Sequence, residues 1–128
     1  LERFPAVRMA TGMLSNHLYA CRLLVLDHNG TTLLESLVAN IPMVLFWRRE
    51  AWALTSDATA LLDMLAEAGI WHETPQKAAA KAAEVWSDPL AWWMSDKVQQ
   101  ARKAYCAQQA LTVPGGPNPY WLKMLKSL

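Results

Sequence analysis

The sequence predicts an α/β fold: a parallel sheet in the first part of the chain, then a helix-rich C-terminal segment. Three observations lead there. Leu23-Leu24-Val25-Leu26 is an apolar run of strand length that ends at the turn Asp27-His28-Asn29-Gly30. A helix-spaced stretch opens after Thr31-Thr32, and a second apolar run, Met43-Val44-Leu45-Phe46, follows Pro42. Strand, turn, helix and strand in that order make a βαβ unit, whose parallel strands are buried on both faces and so lack polar alternation.

The elements follow in chain order. Residues 5–20 mix polar and apolar side chains and predict one short helix ending near Ser15–Ala20, with Gly12 against any longer one. Cys21 to Leu26, apolar apart from Arg22, predicts the first buried strand. A helix is expected near Thr32–Asn40, with Leu33, Leu34, Leu37, Val38 and Ile41 on one stripe and Glu35, Ser36 and Ala39 on the other. Asn40 can adopt the left-handed conformation at its end, and Pro42 stops continuation. Met43 to Trp47 is the second strand.

Helices dominate beyond it. Ala58, Leu61, Leu62, Leu65 and Ala68 form a stripe closed by Gly69, and Ile70-Trp71-His72 is a very short strand. Thr74-Pro75 and Asp88-Pro89 each pair a capping side chain with proline in the first turn. A further helix is expected from Asp96 to Gln109 with Val98, Ala101 and Tyr105 inward. Val113-Pro-Gly-Gly-Pro-Asn-Pro119 excludes regular structure, and Trp121, Met124, Leu125 and Leu128 share one face of a closing helix.

A length of 128 residues suits one core, so 1–128 is read as a single domain, with 1–72 the sheet-containing part and 73–128 a helical tail. The start at Leu1, with no methionine and no signal-peptide pattern, leads us to expect the C-terminal fragment of a larger cytoplasmic protein. Twelve Lys+Arg against 11 Asp+Glu, scattered, form no basic face for nucleic acid. No apolar stretch is long enough to span a bilayer. Cys21 and Cys106 lack metal-binding or redox spacing and read as buried thiols, with their pairing left open. Seven tryptophans, most on predicted helices, are ascribed to packing.

Chemistry concentrates at residues 28–35. Gly30 lets the backbone approach a ligand, and the amides of Thr31, Thr32 and Leu33 would point out of a helix N-terminus, where the dipole favours anions. Glu35, one turn in, suits neutral hydroxyls better than a phosphate, as a ribose or hexose diol would offer. The competing reading is a capping box, in which Thr32 and Glu35 satisfy each other's backbone amides. Both readings stay open on the local pattern. Asn29-Gly30 is also a hairpin signal, rejected because helical spacing follows it.

Gly30, Thr31, Glu35, Ser36 and Leu37, then Asn40 and Pro42, match a G-[ST]-x-x-x-E-[AS]-L stretch followed by G-x-P and a strand. That pattern resembles the C-terminal, nucleotide-sugar-binding half of GT-B glycosyltransferases. Ala68-Gly69-Ile70, Ser87-Asp88-Pro89 and Trp92-Trp93 extend the likeness, over about residues 20–125, to a bacterial family of transferases from surface-carbohydrate gene clusters. Asn40 stands where the superfamily usually has glycine. The resemblance implies a Rossmann-like half of a two-domain fold. Gly30, Thr31 and Thr32 would face the donor's phosphates, Glu35 would hold sugar hydroxyls, and His28 and Asn29 would line the cleft.

On that reading the partners are a nucleotide sugar, used as substrate with no further cofactor, a carbohydrate-bearing acceptor, and the missing N-terminal domain. That domain would supply the general base, so the fragment alone is expected to be inactive and no catalytic residue is assigned here. The alternatives are a nucleotide-sugar epimerase of the same fold and a non-catalytic interaction domain docking through its Trp-rich half. Asp27-His28 could form an acid–base pair, but at a strand end a structural role is preferred. His17 and His72 have no ligand-spaced partner, so no metal site is expected. Arg48-Arg49-Glu50 is read as a solvated loop on the same sheet edge. Trp92-Trp93 is read as packing, with at least one ring in the core.

Overall fold

A computed structural model describes residues 4–112, 119 and 123–126 of the chain. It contains a three-stranded parallel sheet in the order β1-β2-β3: β1 is Leu24–Leu26, β2 Met43–Phe46 and β3 Trp71–His72. Seen in order, α1 (Leu14–Leu18) precedes β1 and α2 (Thr31–Val38) links β1 to β2. Helix α3 (Ser56–Glu67) links β2 to β3. After β3 come α4 (Pro75–Val85), α5 (Pro89–Trp93) and α6 (Asp96–Gln109). Leu24, Val25 and Leu26 face Met43, Val44 and Leu45 in register, so the βαβ unit is as the apolar runs predict. The first strand is shorter than expected, beginning at Leu24.

Period-two alternation divides the central strand between two cores. Met43, Leu45 and Trp47 join one large apolar cluster with Leu33 and Leu37 of α2, Leu61 and Leu65 of α3, and Val98 and Tyr105 of α6. Val44, also fully buried, points to the opposite face. There α4, which packs on β2 and β3, brings its buried Ala78 and Val85. Right-handed crossovers put α2 and α3 on one face of a sheet that advances in one direction. Helix α6 then packs across both. Residues on either side of position 73 therefore share one apolar cluster.

The capping signals fold as written. Thr74 Oγ1 accepts from the Lys77 amide at 3.3 Å, and Asp88 Oδ1 accepts from the Ala91 amide at 3.0 Å. Gly69 closes α3 with φ +74, a conformation that needs glycine, and Asn40 closes α2 with φ 59.

One helix face is corrected. The buried residues of α2 are Leu33, Ser36 and Leu37, while Val38 is exposed. The helix turns Ser36 inward because α6 packs along the 33-36-37 side. Trp93 is fully buried, as required of one of the Trp92-Trp93 pair, but two of the other buried tryptophans, Trp47 and Trp71, sit at strand ends rather than on helices. Residues 113–118, Trp121 and Leu128, on which the predicted Pro-rich loop and closing helix depend, lie outside the described residues.

Candidate functional site

Every strand of a parallel sheet ends on the same edge, and ligands of open α/β sheets collect outside those carboxyl ends. Here that edge carries Asp27-His28-Asn29-Gly30 after β1, Trp47-Arg48-Arg49 after β2 and Glu73-Thr74 after β3. The turn after β1 leads directly into α2, whose N-cap is Gly30.

The capping box is not formed. Helix α2 starts two residues earlier than the pattern requires, at Thr31 rather than Leu33, and no side chain caps it. With Gly30 as N-cap, Glu35 falls in the second turn, too far along to reach back to the cap amide. Its carboxylate is exposed and has no partner among the described residues. The helix start is also tighter than expected. The Leu33 amide donates to the Gly30 carbonyl at 3.0 Å. That leaves the amides of Thr31 and Thr32, rather than three, without an acceptor among the described residues.

Gly30 is extended, with φ −138, so its dihedral angles do not demand glycine. Space does. A Cβ on Gly30 would lie 2.9 Å from His28 Cδ2 and 3.1 Å from His28 Nε2. The imidazole folds back over the start of α2, and its Nδ1 donates to Asp27 Oδ1 at 3.1 Å. Nε2 is left as the free nitrogen, on the side of Gly30. Asn29 and Thr32 are half-buried, Thr31 and Glu35 exposed. The turn is thus an open edge with two free amides, an imidazole nitrogen and a carboxylate.

The predicted solvated loop at Arg48–Glu50 is corrected in part. Residues Arg49–Ala51 form a 3₁₀ turn. Arg49 Nη2 reaches Asp63 Oδ1 at 2.6 Å, and its guanidinium carbon lies 5.0 Å from the centroid of the Trp71 ring. Arg48 stays exposed. Histidines 17 and 72 serve the backbone: His17 Nε2 donates to the Thr11 carbonyl, and His72 Nε2 to that of Gly69. Burial lowers the His72 pKa below 6.5, opposed by the Gly69 hydrogen bond and reinforced by Lys81 and Lys77. Among the described residues no group of three or more His, Cys, Asp or Glu side chains could hold a metal ion. Cys21 and Cys106 are free thiols whose pKa values burial raises.

Sequence reasoning missed a polar clasp behind the site. Asn40 Oδ1 accepts from Trp93 Nε1 at 2.8 Å and from Gln99 Nε2 at 3.1 Å. Gln99 Oε1 in turn accepts from Arg102, which donates to the Leu37 carbonyl at the end of α2. The one signal available was asparagine standing where glycine is usual.

Among the described residues, no helix is long and apolar enough to cross a membrane. Comparison with curated proteins gave no match, and neither did comparison with solved structures. A family model does match, over residues 1–125, and its description is LIC12162 family transferase. With nearly the whole chain covered, this protein belongs to the LIC12162 family of transferases.

Proposed function

We propose that the turn after β1 binds the nucleotide-activated sugar of a glycosyltransferase that acts in the cytoplasm on bacterial surface carbohydrate. The supporting observation is Glu35. A carboxylate that caps nothing, one turn above two unfilled amides, suits a ligand carrying hydroxyls at one end and phosphate at the other. In this reading Gly30, Thr31 and Thr32 face the diphosphate and Glu35 accepts from a ribose or sugar diol. His28 and Asn29 line the edge.

The chemistry follows from the placement. When an acceptor hydroxyl attacks the anomeric carbon, the bond to the diphosphate breaks and negative charge grows on the leaving oxygens. Fixed amides at the start of α2 stabilise that charge without reorganising. The general base and the acceptor site belong to an N-terminal GT-B half, with this chain as the donor-binding half.

The test is a binding screen of the chain against uridine diphosphate glucose, guanosine diphosphate mannose, thymidine diphosphate glucose and cytidine monophosphate sialic acid. Amide resonances of Thr31 and Thr32 should move saturably with at least one of them. A folded chain that binds none would contradict the proposal.

A further inference from the structure

Helix α2 is short, so whatever holds its far end decides where its N-terminal turn sits. Its eight residues make a rod about 12 Å long, with Leu37 about 9 Å along the axis from Thr31. No side chain caps the N-terminal end. Leu33 and Leu37 are fully buried on the inner face, yet apolar burial is non-directional and sets no angle of its own. Among the described residues, the side-chain hydrogen bonds that tie α2 to later helices land at its other end, on Leu37 and Asn40.

Those bonds close a ring. Arg102 Nη1 donates to the Leu37 carbonyl at 2.8 Å, and Arg102 Nε to Gln99 Oε1 at 3.0 Å. Gln99 Nε2 donates to Asn40 Oδ1 at 3.1 Å and to the Trp93 carbonyl at 2.8 Å. Gln99 and Arg102, three residues apart, share one face of α6. Leu37 and Asn40 are also three apart, so the end of α2 is gripped at two points about one turn from each other. Two directional grips fix both the height of the helix and its roll, where a single bond would leave the roll free. The members are part-buried, and each spends its donors and acceptors on the next. A polar network filled in this way specifies one arrangement.

We infer, on the reading of the turn after β1 as the donor site, that Arg102 and Gln99 are positioning residues for that turn. Through Leu37 and Asn40 they hold α2 at the height and roll that aim the Thr31 and Thr32 amides and the Glu35 carboxylate at one ligand. Neither residue touches the ligand itself. A ring that served stability alone would leave the turn where it is when broken, and only the melting temperature would fall.

The experiment takes Arg102→Met, which keeps an unbranched apolar stem, and Gln99→Met, which changes no charge and serves if Arg102→Met does not fold. Each folded variant is read twice. Without ligand, the amide resonances of Thr31 and Thr32 should shift, although they lie about 9 Å along the helix from the bond removed at Leu37. Against the nucleotide sugar that the parent chain binds best, affinity should fall at least fivefold at a temperature well below the melting transition. Lys103→Ala removes a charge from the exposed side of the same helix and should leave both readings unchanged. Amides that stay still would overturn the inference, as would shifted amides beside an affinity equal to the parent's. A parent chain that binds no nucleotide sugar would instead sink the donor reading, and the ligand-free resonances would then decide alone whether the ring positions the turn.

Discussion

Trp93 Nε1 donates to Asn40 Oδ1 at 2.8 Å, and to the Asn40 backbone carbonyl at 3.1 Å, across 53 residues of chain. One side chain thus does two jobs at the end of α2. It tolerates the left-handed backbone that stops the helix, and it supplies the acceptor for a fully buried indole. A glycine there would do the first and leave the indole only the longer bond to the backbone carbonyl. The clasp fixes α2, and so its N-terminal turn, against α5 and α6.

Replacing Asn40 should therefore separate the two jobs. Asn40→Ala adds strain at φ 59, about 1–2 kcal/mol, to the lost acceptor, about 1–2 kcal/mol more. We expect a loss of about 2–4 kcal/mol in urea unfolding. Asn40→Gly keeps the backbone and should lose about half as much. Equal losses would mean that the side-chain bonds to Trp93 and Gln99 contribute little.

Gly30→Ala should disturb His28 and little else. The new Cβ meets the imidazole 2.9 Å away, and a side chain can swing aside where backbone could not. The extended Gly30 accepts alanine, so the expected stability change is about 1 kcal/mol or less. The His28 ring resonances should shift as its bond to Asp27 is displaced. Unmoved resonances would show that the ring does not rest over Gly30.

Burial holds the folded pKa of His72 below 6.5. As pH falls through that value the unfolded chain takes up a proton before the folded one, so acid favours unfolding. Above that value both states are neutral, and the contribution is complete and flat. Below the folded pKa both are protonated and the decline ends. His72→Gln keeps a donor for the Gly69 carbonyl but cannot titrate. Its unfolding free energy should fall less than that of the parent between pH 7 and 5, and parallel curves would contradict the assignment.

Raised pKa values at Cys21 and Cys106 predict slow thiols. Burial disfavours both thiolates, although Arg102 pulls Cys106 partly back. Iodoacetamide at pH 7 should label the folded chain well below the rate seen in urea, as read by mass spectrometry. Equal rates would place both sulfurs in open solvent.

The sequence made the βαβ unit legible because its signals are local: two apolar runs, a turn and helical spacing. The caps at Thr74, Asp88 and Gly69 were legible for the same reason, since each acts within a few residues. What escaped was decided at a distance. Ser36 faces inward because α6 covers that side of α2. Arg49 left its expected solvated loop for Asp63, and Trp71 meets its guanidinium only once β3 has paired with β2. At the site itself, whether Glu35 caps the helix turned on a two-residue shift in the start of α2, below what a four-residue pattern can resolve.

The most direct measurement compares the affinity of the parent chain and of Glu35→Gln for the nucleotide sugar that binds best, by isothermal titration calorimetry. Hydrogen bonds from a diol to a carboxylate are worth about 1.5–3 kcal/mol, so affinity should fall about tenfold to a hundredfold. Melting temperature should hardly change, since the exposed Glu35 caps nothing in the fold. Unchanged affinity beside unchanged melting would contradict the account and remove Glu35 from the donor site.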